Sequence, residues 1–387
     1  MIGYDGEISK LHLIFACEMR RGNACASDSS TYFPRTMRWL CALILILLGC
    51  SVQMRGATDW TVYQLDGRDY VTMENVAAFY GLPNLKRHEK EVTASSSARS
   101  LRGKEDSQEL FINNLKFILS YPLVAHKGSV CISRMDLVKL LEPVMRPGKI
   151  KGADLVKTII LDAGHGGHDK GATSFFGTEQ ASTLDTAMRA KALLQAAGYK
   201  VVLTRGGDYF VPLDERVKIA NQHKNALFIS IHFNAGGWGT GVETYTLAPR
   251  GVPSMMSDGP AVTDLVECAG NAFDAQNIAL ATSAHASMVI KTRLFDRGLK
   301  RARFVVIRDV KMPGVLLEGG FMSNPADAKL IASSNYRQLL AQSILQAVEN
   351  YRRAVGAPQP VRKSLDPPVH VPTESKNTDP PVVTSGD

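Results

Sequence analysis

"TIILDAGHGGHDKGA", Thr158 to Ala172, decides how the rest of the chain is read. Its apolar start, Thr158-Ile159-Ile160-Leu161, has the length and β-branched content of a buried strand. The strand runs into His165, set among Gly164, Gly166 and Gly167, with His168 following on the same loop. Glycines there let the backbone turn sharply and aim the His165 imidazole inward without a Cβ clash. In open α/β sheets, ligands gather at the carboxyl ends of the strands. The loop therefore directs attention to what the other strands carry at their ends.

Outward from this stretch, strands are expected at 157–162, 200–204, 227–232, 241–247, 303–307 and 314–318. Helices are expected at 179–197, 213–224, about 274–291 and 335–354. The alternation predicts an α/β domain over 155–355, a mainly parallel twisted sheet flanked by helices. "RPGKIKGAD", Arg146 to Asp154, reads as a linker. Before it, residues 58–150 form a small α+β domain in which a strand-pair, strand and helix layout occurs twice. The polar stretch between the repeats, Thr93 to Ser107, is rich in Ser and Arg and is expected to be a loop. This layout resembles the small domain at the N-terminus of copper amine oxidases, which also serves as a stalk or wall-binding module in exported proteins. No catalytic constellation stands in it, since His88 and His126 are isolated.

The chain ends carry other signals. Trp39 to Leu48, "WLCALILILL", follows Arg35 and Arg38 and precedes Gly49-Cys50-Ser51. A basic flank, a short apolar core and a small-residue exit make an export signal, over 37–57. Met37 heads it, which points to translation starting there and leaves residues 1–36 upstream. Leu47-Leu48-Gly49-Cys50 resembles a bacterial lipobox, which would make Cys50 a lipid-modified anchor. The other reading is ordinary signal cleavage a few residues later. From Gly356 to Asp387 the tail is Pro-rich and polar and is expected to be disordered. The 387 residues carry a formal net charge of +8, with the basic residues scattered. That suits an anionic neighbour, but no basic-aromatic motif accompanies it, so nucleic acid is not an expected partner. The 6 cysteines show no paired metal-ligand spacing, and Cys131 and Cys268 sit in apolar sequence where burial is expected.

The strand ends carry the chemistry. The first strand delivers His165, "LFISIHFNA" delivers His232, and "GVLLEGGF" delivers Glu318. Glu179 opens the first helix after "FFGT". Hydrolytic zinc sites take three N or O protein ligands and keep one position for water. Both histidines and one of these glutamates satisfy that rule, which leaves the other glutamate as a general base.

"IILDAGHGGHDKGA", "GTEQASTLDTAMRAKALLQAAGYKVVLTR", "PLDERVKIANQHKNALFISIHFNAGG", "GVETYTL" and "PGVLLEGGFMSN" resemble, in order, the blocks of the zinc-dependent N-acetylmuramoyl-L-alanine amidases, over about Thr158 to Tyr351. The resemblance implies that His165, Glu179 and His232 hold Zn²⁺ and that Glu318 is the catalytic glutamate. It implies hydrolysis, in the bacterial cell envelope, of the peptidoglycan amide between N-acetylmuramic acid and L-alanine. Departures from the family pattern are Phe233 where Ala is usual, Gln180-Ala181 where Lys-Asp is frequent, Ala163 for a common Pro, and Gly319 at a variable position. Phe233 is expected to narrow the pocket. Family members sometimes carry an inhibitory helix where Pro249 to Phe273 lies here; this stretch reads as a lid or a plain loop. An inactive wall-binding protein, or a zinc peptidase or deacetylase on the same scaffold, are the alternative readings.

Other residues carry plainer expectations. His168 reads as exposed or as supporting a ligand, and His285 as a core or surface residue. Arg216 is expected to brace its helix against the sheet, and Glu243 to be structural. Asn234 either meets substrate or fixes its loop.

Overall fold

The computed structural model describes residues 60–153, 156–237, 239–256 and 259–357; the export signal, Cys50 and the tail lie outside them. β1 (Val62–Leu65) and β2 (Arg68–Thr72) form a hairpin turned by Asp66 and Gly67, both at positive φ, as the Asp-Gly pair predicts. Helix α1 (Met73–Tyr80) starts where the Thr72 hydroxyl accepts from Asn75 N and stops at Gly81 in the left-handed conformation. Strands β3 (Asn84–His88), β4 (Glu91–Ser95), β5 (Ser100–Lys104), β6 (Glu109–Ile112) and β7 (Leu115–Ile118) follow as an antiparallel meander. β8 (Val124–His126) and β9 (Ser129–Ser133) join β1 and β2 in a separate four-stranded sheet. Helix α2 runs through Arg134–Asp136, a π-wound Leu137–Leu141, and Glu142–Met145.

The expected loop from Thr93 to Ser107 is therefore two strand segments, β4 and β5. Val92, Ala94 and Leu101 are buried, while the residues between them face outward. A strand with one wet face shows only alternate apolar residues, and Ser and Arg filled the rest.

After residue 156 the pattern changes. β10 (Thr158–Ala163), β13 (Lys200–Leu203), β14 (Ala226–Asn234) and β17 (Gly314–Phe321) pair in parallel in the order β13-β10-β14-β17. A short hairpin, β11 (Thr173–Ser174) and β12 (Gly177–Thr178), stands outside this sheet. β15 (Val242–Leu247) pairs antiparallel with β17, and β16 (Asp296–Ala302) pairs parallel with β15. Helices α3 (Glu179–Ala196), α5 (Asp274–Thr292) and α8 (Ser334–Val355) pack on one face. Helix α4 (Leu213–Asn221) and the single turn α6 (Val305–Arg308) pack together against the other. Helix α7 (Pro325–Ala332) begins at Asn324, whose side chain accepts from the amides of Ala326 and Asp327. Alternation along β14 separates two cores: Leu227, Ile229 and Ile231 join the larger, and Ala226 and Phe228 the smaller.

The strand expected at 303–307 is instead the α6 turn, and the strand lies just before it in β16. "FVVI" has β-branched content, but in α6 it buries Val306 and Ile307 against the smaller core.

The two halves of the chain share one sheet. Leu299 of β16 pairs in parallel with Phe117 of β7, giving the eleven-strand order β13-β10-β14-β17-β15-β16-β7-β6-β5-β4-β3. The seam is polar as well as apolar. Buried Arg301 pairs with buried Asp136 at 3.1 Å and donates to the Ser120 hydroxyl and to Lys139 O. Lys116 N donates to Asp296 Oδ2 at 2.9 Å.

Candidate active site

Asp162, at the end of β10, is buried and accepts from Thr204 Oγ1 at 2.6 Å, Ser230 Oγ at 2.7 Å and Arg216 Nη1 at 2.8 Å. Burial acts to raise its pKa, but the Arg216 guanidinium and these hydrogen bonds outweigh it and hold the carboxyl below its usual range. Arg216 also donates to Ala163 O and His165 O, both at 2.6 Å. It braces α4 against the sheet, as the sequence predicts, and it also fixes the loop. Arg205, which sequence reasoning did not single out, donates to Ala163 O, Gly164 O and Gln180 O at 2.7 to 2.8 Å. Two buried guanidinium groups thus hold three consecutive carbonyls under the histidine.

His165 itself sits at φ 61°, a conformation that costs a residue with a side chain, so this turn is held rather than relaxed. The neighbouring glycine makes room for another residue. A β carbon on Gly164 would lie 2.6 Å from Nε2 of His232, so the missing side chain lets that ring lie over β10. Gly171 acts likewise, since a β carbon there would be 2.5 Å from Glu179 Oε2.

His165, Glu179 and His232 come together, each offering one donor atom within 4.8 Å of the others. Glu179 Oε1 lies 3.1 Å from His165 Nε2 and 2.9 Å from His232 Nδ1. It also accepts from Phe233 N at 3.1 Å, while Oε2 accepts from Ala172 N at 2.8 Å. Burial would raise the Glu179 pKa; the bonds to His165 and His232 outweigh it and hold the carboxyl well below the usual range. For His165, burial pulls downward, but Glu179 and Asp169 outweigh it and raise its pKa. Asp169 Oδ2 lies 2.9 Å from His165 Nδ1, so a proton held between them would leave Nε2 free to ligate a metal. Asp169 was not anticipated; its only sequence signal is its place four residues after His165 on the same loop.

Glu318 stands beside this cluster. It pairs in register with His232 across parallel strands, and with Glu243 on its other side. Partners in register face the same way, so His232, Glu318 and Glu243 form a row across three strands. Glu318 Oε2 is buried without a hydrogen-bond partner. Burial, with Glu179 and then Glu243 nearby, pushes its carboxyl well above the usual range, and Lys300 acts in the opposite direction. Glu243 is tied to Arg297, to Lys300 at 2.8 Å and to Tyr245 Oη at 2.7 Å, and Asn234 Nδ2 reaches it at 3.3 Å. Asn234 therefore fixes this corner.

Phe233 and Cys268 depart from expectation, and the other named residues settle within theirs. The Phe233 ring is buried in the larger core against Gly319 and does not line the cluster. His168 is exposed and stacks on Phe210, with ring centroids 4.3 Å apart. His285 is buried between Thr244 Oγ1 and Asp296 Oδ1. Cys131 is buried, whereas Cys268 is half-buried beside Arg303. Among its described residues, Pro249 to Phe273 carries only 3₁₀ turns, at Val262–Leu265 and Ala269–Phe273, with Arg303 clamping Asp264 and Pro249 O.

The donor set is two imidazoles and a carboxylate kept ionised, which suits a borderline-soft divalent cation such as zinc. Glycines on both sides leave room for these side chains. The adjacent half-buried carboxylate with an unpaired oxygen is suited to taking and giving a proton. Such a site can hydrolyse an amide.

Comparison with known proteins gives the family. The family model described as N-acetylmuramoyl-L-alanine amidase matches residues 159–350. The chain is 31% identical over 249 residues to N-acetylmuramoyl-L-alanine amidase AmiA of Escherichia coli (strain K12), covering 58% of this chain and 85% of that protein. It is 31% identical over 193 residues to the sporulation-specific N-acetylmuramoyl-L-alanine amidase of Bacillus subtilis (strain 168), covering 49% and 66%. The solved catalytic domain of CwlV, an N-acetylmuramoyl-L-alanine amidase from Bacillus (Paenibacillus) polymyxa var. colistinus, is 31% identical, with 51% of this chain and 98% of that one covered and a TM-score of 0.42.

Proposed function

The chain belongs to the N-acetylmuramoyl-L-alanine amidases, and from that premise we propose that it uses zinc, held by His165, Glu179 and His232, to cleave the peptidoglycan amide joining N-acetylmuramic acid to L-alanine. One observation carries the proposal: three donors within 4.8 Å of one another, with Glu318 in register beside His232. A bound zinc ion supplies a Lewis acid that polarises a carbonyl and acidifies water.

The chain's own groups do the rest. Asp169 keeps the His165 proton on Nδ1, and the hydrogen bonds to Glu179 keep its carboxylate charged and in place. Glu318 takes the proton of the attacking water. Its raised pKa makes it a better base than an ordinary carboxylate and a competent acid once protonated. It then gives that proton to the departing amine nitrogen of L-alanine. Arg205 and Arg216 hold the His165 loop still through these transfers.

The role we assign is wall remodelling or daughter-cell separation in the cell envelope, reached through the export signal around Trp39 to Leu48, which ends either in lipid modification of Cys50 or in ordinary cleavage a few residues later. No helix among the described residues is long and apolar enough to cross a membrane. Residues 58–150 serve as a stalk or wall-binding lobe. The deciding experiment is mass spectrometry of purified wall digested by the purified chain. Free stem peptides and intact glycan strands are expected; peptides still joined to sugar would reject the assignment.

A further inference from the structure

One apolar feature beside the metal cluster takes no part in the chemistry above. The β11–β12 hairpin ends in Phe175 and Phe176, which are 97% and 43% exposed. Their rings meet edge to face with centroids 5.5 Å apart. The tip is ordered by Ser174 Oγ, which accepts from Phe176 N at 3.2 Å and donates to Gly177 O at 3.3 Å. Both roots of the hairpin are fastened at Glu179. Ala172 N donates to Glu179 Oε2 and Glu179 N donates to Ala172 O, each at 2.8 Å. The tip lies three residues beyond that anchor, a reach of at most about 10 Å at about 3.3 Å per residue.

A second aromatic group flanks the same loop. Phe210 and Tyr209 are exposed, Phe210 carries the His168 ring, and their backbone presses on Gly166 and Gly167. On the opposite flank, beyond His232 and Glu318, the row ends at Glu243 with Arg297 and Lys300. The cluster thus lies between an uncharged aromatic arm and a charged flank.

The substrate has the same polarity. A glycan strand offers pyranose rings whose C–H faces pack on aromatic rings, whereas a stem peptide carries carboxylates that seek cations. A lipid surface would favour an aromatic tip ringed by Lys or Arg. Ala172 to Thr178, "ATSFFGT", carries no charge until Glu179, so the tip suits sugar better than lipid. We propose that the Phe175–Phe176 hairpin is a sugar-binding arm. It receives pyranose rings of the glycan strand. This rests on the amidase reading for the identity of the strand.

The test uses the full chain, wild type and Phe175→Ala/Phe176→Ala, titrated calorimetrically with peptide-free glycan strands. The double variant is expected to bind about tenfold more weakly, with thermal midpoint and zinc content as in wild type. Phe175→Trp should retain affinity. If the double variant is unstable, Phe175→Ala alone decides by the same criterion, since that ring is almost wholly in solvent. Unchanged glycan affinity overturns the proposal. So does loss of binding to anionic phospholipid vesicles with glycan affinity intact, which would assign the tip to a membrane. Peptide-free strands contain no amide to cleave, so the outcome is independent of the product analysis. Glycan binding through the arm without stem-peptide release would sink the amidase reading and leave the arm standing.

Discussion

The imidazole of His232 lies over the bare α carbon of Gly164, in space that a methyl group would fill. Gly164 has no positive φ, so alanine there tests space alone. Gly164→Ala should weaken zinc binding about 10- to 100-fold while leaving the fold intact. Zinc titration against a competing chelator, with a melting curve alongside, measures this. Wild-type zinc affinity in the variant would mean that the ring has another route to the metal.

Glu318→Gln keeps the shape of the side chain and removes its ability to take a proton. Zinc content should be unchanged and kcat should fall about 10²- to 10⁴-fold. Stem-peptide release by chromatography is the readout. A variant that turned over at the wild-type rate would remove Glu318 from proton transfer.

The Asp162–Arg216 pair predicts how stability follows pH. The folded-state pKa of Asp162 is depressed below its unfolded value of about 3.9. Its contribution is therefore fully present above that value and is lost as pH falls through the folded pKa. Thermal melts from neutral to acid pH should show this loss, and Asp162→Asn should flatten it. Arg216→Leu strands a buried carboxylate and should cost about 3–5 kcal/mol at neutral pH.

Phe233 and Gly319 complement each other in size. A β carbon on Gly319 would stand 3.0 Å from the Phe233 ring and 2.9 Å from Leu340 Cδ1. Gly319→Ala should destabilise by about 1–3 kcal/mol. Adding Phe233→Leu should recover part of that, with a coupling of about 0.5–3 kcal/mol in a double-mutant cycle. Strict additivity would show that the two positions do not share the space.

What the sequence revealed, and what it concealed, follows from where the signals lie. The strands that carry His232 and Glu318, and the one that leads into the His165 loop, are almost wholly buried runs, so they and the groups they carry were readable, although β14 and β17 run on to Asn234 and Phe321. β16 was not: "DRGLKRA" has Asp, Arg and Lys among its residues, each held by a partner from another strand or helix. Its pattern makes sense only once Asp136, Glu243 and His285 are beside it. Arg205 was hidden for the same reason. It follows β13 in a glycine-rich loop, and nothing local marks it as turning inward to three backbone carbonyls. Phe233 was readable as an oddity, but its direction depended on strand parity beyond the ligand.

The pairing of Leu299 with Phe117 has a consequence for anyone who would trim or transplant this enzyme. A fragment beginning near residue 156 would end its sheet at a raw β16 margin, with Arg301 stripped of Asp136 and a greasy flank turned to water. Such a piece should self-associate or precipitate more readily than the whole chain. The amino-terminal lobe is thus a structural half of the enzyme, and swapping it for another targeting module would mean rebuilding that border strand by strand.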